Sequence, residues 1–412
     1  MRSDIDRLME DRNLDAILIT GPVQHNPAMY YFTGKVHVTN ADLIKKRGKP
    51  PILFHNPMER EEAARTDIRT KNLAEYRLKE LLEECDGDHV KALAMRYTKM
   101  LSELEITQGR MAIYGMVDAG KSYGVFSTLQ DMLPDLKIIG EGQDSLILKA
   151  MATKAEDEIE KIRRMGHLTT DVVSNLVDFL TSHPVMNDVL MKSDETPLTV
   201  GDVKNRIDLM LAERGADNPE GTIFAIGRDA GIPHSAGNPN DVIRIGKTIV
   251  FDIFPSESGG GYFYDFTRTW CLGYAPDEVV ALYEDVLAVY QKIMAELKIN
   301  TPCQTYQERT CELFEELGHK TVREDPTIQE GYVHSLGHGL GLHVHERPWF
   351  GQGANEDDIL APGVVVTIEP GLYYPSQDMG CRLEDTVWMR PDGQPEILSS
   401  YPLDLILPMR SV

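Results

Sequence analysis

Four β-strands predicted from this chain each carry an acid that a buried strand accommodates poorly. Thr248-Ile249-Val250-Phe251-Asp252-Ile253-Phe254 is apolar apart from Asp252. An unpaired charge in such a strand costs roughly several kcal/mol or is neutralised. The turn-rich residues 256–261 follow, and the next strand, residues 262–272, carries Asp265. A hairpin of these strands sets two carboxylates side by side, which is unfavourable unless a cation lies between them. The pattern recurs in residues 364–369, a β-branched run ending in Glu369 before Pro370-Gly371. It recurs again in a strand over residues 382–389, where Glu384 shares a face with Arg382 and Thr386. Taken singly, Asp265 could pair with Arg268, and Glu384 with Arg382 at the surface. As a set, the acids call for a common cation.

Residues 334–346 read His-Ser-Leu-Gly-His-Gly-Leu-Gly-Leu-His-Val-His-Glu, with four histidines and three glycines in thirteen residues. Neutral imidazole is the commonest protein metal ligand, and glycine lets backbone pass close to an ion or substrate. A strand over residues 340–345 would send Leu340, Leu342 and Val344 to one face and His343 and His345 to the other. Two Asp, two Glu and a His-rich segment make an oxygen-dominated site with nitrogen donors. Such a donor set suits manganese, iron, cobalt or zinc better than copper or a thiolate metal. Four carboxylates balance two divalent cations, and in two-metal sites the ions sit ~3.5–4 Å apart.

The 412 residues suggest two or three domains, and 42% hydrophobic content supplies real cores. A net charge of −23 argues against nucleic acid or an anionic membrane as partner. No run approaches the ~20 apolar residues that span a bilayer, and residues 1–11 are charged, so a cytoplasmic protein is expected. Cys85, Cys271, Cys303, Cys311 and Cys381 are scattered without a Cys-x-x-Cys pair, which indicates neither a disulfide framework nor a structural zinc site. Strands at residues 15–20, 51–55, 110–114, 137–139 and 146–148 alternate with helices at 59–66 and 91–104, an α/β pattern. Gly115-x-x-x-x-Gly120-Lys121-Ser122 satisfies a phosphate-loop pattern, but no strand-to-helix frame is expected there. Beyond residue 150, helices are expected at 154–180, 203–214, 276–297 and 304–317, with a loop or insertion over 181–199.

Residues 334–346, Asp252 with Asp265, Thr367-Ile368-Glu369-Pro370-Gly371 and Arg382-Leu383-Glu384-Asp385 together resemble the prolidase and Xaa-Pro aminopeptidase family. All four motifs occur in the family's order, and the likeness runs over roughly residues 154–408. The resemblance implies an α+β chain. Residues 1–150 would form a smaller α/β creatinase-like N-terminal domain, and residues 151–412 a pita-bread metallopeptidase domain. It implies that Asp252, Asp265, His338, Glu369 and Glu384 hold two divalent metal ions, manganese first, with cobalt, zinc or iron as alternatives. Glu369 would also act as general base or proton shuttle. His234, in Ile-Pro-His-Ser-Ala-Gly, matches the family's histidine ahead of the first Asp. His334 and His345 match its substrate-facing histidines, and His343 matches no family role. Asp252-Ile253-Phe254-Pro255 replaces the commoner Asp-x-Gly, and the hairpin to Asp265 is slightly long, so the pocket rim departs from the family while the ligands are kept.

The implied activity is hydrolysis of the bond between an N-terminal residue and proline, on a proline-containing peptide substrate, by a homodimer without nucleic-acid or membrane partners. Two other readings stay open from the residues alone. One is a lyase or amidinohydrolase acting on a small metabolite on the same fold. The other is a metal-bearing scaffold that binds without turnover. Metal analysis combined with a dipeptide assay separates the three.

Overall fold

Ala16–Gly21 is buried along its whole length, which suits a strand with neighbours on both sides. In the computed structural model, which describes residues 4–351 and 353–410, it is β1 of a six-stranded sheet. The others are β2 (Ala41–Lys46), β3 (Ile52–His55), β4 (Arg69–Asn72), β5 (Gly109–Gly115) and β6 (Leu136–Gly140), in the order β4-β3-β2-β1-β5-β6. β1 runs antiparallel to β2 and parallel to β5. Helices His89–Glu103 and Ala119–Met132 contribute Tyr97, Met100, Leu101, Phe126 and Leu129 to the core over Leu18, Phe54 and Met111. This sheet belongs to a compact unit of Met1–Met151 with Gly259–Gly261; the second unit is Ala152–Ser258 with Tyr262–Val412.

Two local expectations fail in the first unit. Residues 146–148 open a helix, Leu146–Met151, rather than forming a strand. A short apolar run has no periodicity to choose between the two, and Ser145 Oγ accepts from the Leu148 N–H at 3.2 Å in the first turn. Around Gly115 and Gly120 a strand-to-helix frame does exist, because β5 ends at Gly115 and the next helix starts at Ala119. Asp118 caps that helix, accepting from the Lys121 N–H at 2.8 Å. Its carboxylate stands where a phosphate would need those amides.

The second unit opens with the helix Glu156–Thr181, which buries Ile159, Ile162, Met165, Val172, Val173 and Leu176 on one stripe. Within residues 181–199 the chain makes a hairpin, Val185–Met186 against Val189–Leu190. Asn187 and Asp188 turn it with φ of 51° and 62°, the left-handed pair that a two-residue hairpin requires. Thr222–Ile226, Thr248–Ile253, Phe266–Leu272 and Ile406–Leu407 form a four-stranded sheet in that order. Glu346–Trp349, His338–Gly339, Val365–Ile368, Asp385–Met389 and Pro395–Ile397 form a five-stranded sheet in that order. Helices Asp277–Glu296 and Cys303–Glu316 share a core with the second sheet through Val286, Ile293, Phe314, Val366, Ile368 and Val387.

The expected hairpin forms, with Asp252 opposite Thr267. Its second ladder starts at Phe266, so Asp265 sits just off the strand end. The strand expected over residues 382–389 is two pieces. Met379–Arg382 pairs with Gly371–Tyr374, and Asp385–Met389 pairs with Val365–Ile368. Between them Glu384 bridges to Thr267 of the other sheet, so the chain changes partners at the acid.

Arg268 and Asp385 fasten this junction. Both side chains are almost fully buried and meet at 2.9 Å. Arg268 also donates to the carbonyls of Thr267, Glu384, Tyr401 and Pro402, which uses all five of its N–H groups. Asp385→Ala leaves a buried cation without its anion, and we expect stability to fall by about 3–5 kcal/mol. Urea unfolding followed by circular dichroism checks this. A loss below about 1 kcal/mol, the scale of an exposed pair, would contradict it.

Candidate metal centre

The strand register converges the acids. Asp252 lies in Thr248–Ile253, Asp265 at the foot of the neighbouring strand, Glu369 just past Val365–Ile368, and Glu384 in the crossover between sheets. Asp252, Asp265 and Glu384 are buried. Among the described residues, Asp265 Oδ1 accepts only a local bond, from the Phe266 N–H at 2.9 Å. Glu384 Oε2 accepts from the Thr267 hydroxyl at 2.6 Å. Burial first, and then the neighbouring carboxylates, push Asp265 and Glu384 well above the usual carboxylate range. Burial raises Glu369 to about 8, against the pull of Arg382.

His338 faces these groups as a neutral ring. Burial drives its pKa down to about 3, and its Nδ1 lies 3.0 Å from the Gly339 carbonyl. That contact makes Nδ1 the donor and leaves the Nε2 lone pair to face outward. Nε2 lies 3.6 Å from Asp265 Oδ2 and 3.5 Å from Glu369 Oε1, beyond good hydrogen-bond length. A lone pair aimed at two carboxylates is repulsive until a cation or protons intervene.

Neither ion pair that local sequence suggests is formed. Arg268 goes to Asp385 instead of Asp265. Arg382 goes to Asp252, Nη2 to Oδ2 at 2.6 Å, instead of Glu384. Arg382 also donates to Tyr373 Oη at 2.6 Å and to the Pro233 carbonyl at 3.2 Å. Tyr373 Oη lies 2.9 Å from His334 Nε2, while His334 Nδ1 lies 2.7 Å from the Ser335 carbonyl. His334 is therefore also neutral, with burial holding it near 3, and both of its nitrogens are engaged. Arg382 and Tyr373 are site residues that the sequence reading missed. The signal was an arginine two positions before Glu384, too close in sequence to be read as anything but that acid's partner.

Residues 341–345 are bends, and residue 340 is irregular, in place of the expected strand. Glu346 explains why. Its Oε1 accepts the N–H groups of Leu342 at 2.7 Å and His343 at 3.0 Å, which closes the segment into a loop. Its Oε2 meets Lys154 Nζ at 2.9 Å in a fully buried pair. Leu340, Leu342 and Val344 are buried as expected. His345 packs against His338 with ring centroids 4.3 Å apart and the rings tilted by 55°. Burial lowers its pKa, and the Glu220 carboxylate opposes that more strongly than Asp252 does.

A cavity of about 500 Å³ collects these groups. Asp252, Asp265, Glu369, Glu384, His234, His334, His338 and His345 all line it, and His343 does not. The donor set fits divalent metal on three observations. Asp252 Oδ1 is buried without a hydrogen-bond partner among the described residues. One donor atom each from Asp265, His338 and Glu384 lies within 4.8 Å of the others. The remaining donors are hard carboxylate oxygens.

The sequence profile of metallopeptidase family M24 matches residues 160–391, and that of the creatinase/prolidase N-terminal domain matches residues 2–140. An Xaa-Pro dipeptidase from Pyrococcus furiosus is 24% identical over 391 residues, 94% of this chain and 94% of that protein. A solved dipeptidase structure from Pyrococcus horikoshii superposes with a TM-score of 0.74 at 23% identity, covering 98% of this chain and 99% of that one. An X-Pro aminopeptidase structure from Thermotoga maritima gives 0.72 at 23% identity, covering 97% and 99%. At these identities the structural likeness carries the fold, and the expected pairing of a creatinase-like N-terminal domain with a pita-bread catalytic domain holds.

These pKa shifts set a pH dependence for the metal-free protein. His334 and His338, moved from 6.5 to about 3, bind fewer protons folded than unfolded, so they add stability as pH rises to about 6.5. Glu369, moved from 4.5 to about 8, keeps a proton that the unfolded chain has released, so stability falls as pH climbs through that window. Between pH 6.5 and 8 the carboxylate effect prevails, and divalent ions compete better as protons leave. Chelator-stripped protein should therefore lose Tm between pH 6.5 and 8, and an added divalent ion should restore more at pH 8 than at 6.5. Thermal melts at both pH values check this; an equal or smaller gain at pH 8 would contradict it.

Proposed function

Because the chain belongs to metallopeptidase family M24, a family of metal-dependent hydrolases, we propose that it cleaves the amide bond between an N-terminal residue and proline. The substrate is an Xaa-Pro dipeptide or the Xaa-Pro start of a longer peptide. Four clustered carboxylates around a neutral imidazole, with Asp252 Oδ1 left unpartnered, carry this reading. The names of the similar dipeptidase and aminopeptidase give it its proline specificity.

In this reading Asp252, Asp265, His338, Glu369 and Glu384 hold two divalent ions, and we assign them as manganese on the hard donor set. The ions supply Lewis acidity for the scissile carbonyl and lower the pKa of water. Glu369 takes the proton of the attacking water and delivers it to the departing proline nitrogen. His345 and His234, both exposed at the cavity wall, donate to the oxygen that gains charge. His334 is a neutral wall whose bond to Tyr373 keeps the Arg382 guanidinium on Asp252. The acids also attract the substrate's α-ammonium group. Proline's amide nitrogen bears no hydrogen, so a site that asks for no donor there loses nothing with proline.

Two measurements test this on manganese-loaded protein. Ala-Pro should be hydrolysed at least about tenfold faster than Ala-Ala, a difference of ~1.4 kcal/mol in the transition state. Glu369→Gln should lower kcat by about 10²–10⁴-fold while the fold is kept. Equal rates on the two dipeptides, or a metal-retaining Glu369→Gln variant within a few-fold of the parent, would overturn the assignment.

A further inference from the structure

Five carboxylates line the cavity, and four belong to the cluster already described. The fifth, Glu220, stands apart. It is exposed, and among the described residues no cation or hydrogen-bond donor pairs with its side chain. Its backbone is fixed. The Gly221 N–H bonds the Asn218 carbonyl at 3.3 Å, with Gly221 at φ +82°, and Asn218 Nδ2 ties the turn to Asp208 at 2.8 Å and to Thr222 Oγ1 at 3.0 Å. The strand that starts at Thr222 then places Ile223 opposite Asp252. One edge of the cavity therefore runs from Asp252, past the apolar Ile223, to a free carboxylate at Glu220.

That sequence of surfaces complements a long side chain with an apolar stem and a cationic head. We propose that Glu220 is a specificity-determining residue that selects peptides whose first residue is lysine or arginine. The proposal rests on the Xaa-Pro reading above. The α-ammonium group of the first residue lies toward the acidic cluster, its side chain passes Ile223, and its ammonium or guanidinium meets Glu220. Trp349, which lines the same cavity as Ile223 and Phe254, adds an aromatic face of the kind that attracts such cations. The Glu220 carboxylate already acts on His345, which places its charge within reach of the reacting end of the substrate.

The experiment compares lysyl-proline with norleucyl-proline, which matches the stem and lacks the charge, on the manganese-loaded full chain. The ratio of kcat/KM values should favour lysyl-proline by about fivefold, the upper end for one exposed ion pair, and should shrink as salt is raised. In Glu220→Gln the ratio should fall to within about twofold of unity, and in Glu220→Lys it should invert. Cleavage of norleucyl-proline without a lysyl preference overturns the role of Glu220 and leaves the Xaa-Pro reading standing. So does a ratio unchanged in Glu220→Gln, since the lysyl preference would then come from another group. Failure to cleave either dipeptide and either matching Xaa-Pro-Ala tripeptide overturns both readings.

Discussion

Four carboxylates brought together in one cavity repel one another, and each pays again for leaving water. The rest of the second unit is arranged around that repulsion. Arg382 offsets part of it by holding Asp252, yet one arginine cannot balance four acids. Without other cations the cluster must keep protons, which is why Asp265, Glu369 and Glu384 are all displaced upward. Divalent metal would resolve the same conflict with the acids ionised. The feature that destabilises the cluster is, in the proposed reading, the feature that would make it a ligand set.

Holding the acids in place requires rigid support behind them. Two sheets meet at Glu384, and the meeting is fixed by Arg268, whose donors reach five separate acceptors. The loop with His345 is fixed from a distant part of the chain, by Lys154 through Glu346. Gly341 has no room for a side chain in that arrangement, since a Cβ there would stand 2.6 Å from Glu346 Oε2. Positioning thus comes from buried ion pairs that touch the backbone beside the reactive groups, while the reactive side chains keep free atoms toward the cavity.

The acids were legible in sequence because a carboxylate inside a β-branched run is an anomaly that demands a reason. The hairpin of Asp252 and Asp265 was legible for the same reason, with turn-rich residues between two apolar strands. The partners were not. Arg268 and Arg382 sit beside acids in sequence, and local reading pairs them there; in the fold they reach Asp385 and Asp252, 117 and 130 residues away. The loop at residues 340–345 alternates like a strand, and nothing local says that the Glu346 side chain takes its amides. The cap at Asp118 and the helix at Leu146–Met151 were missed because one side chain decides each of them.

The central claim is that the four carboxylates and His338 are a binding site for two divalent ions. Manganese titrated into chelator-stripped protein, with bound metal counted by elemental analysis after gel filtration, tests it most directly. The account predicts two ions per chain, reduced by Asp265→Asn and by Glu384→Gln, while Glu220→Gln retains both. Protein that retains no divalent ion, or that binds it undiminished in the Asp265→Asn and Glu384→Gln variants, would contradict the account.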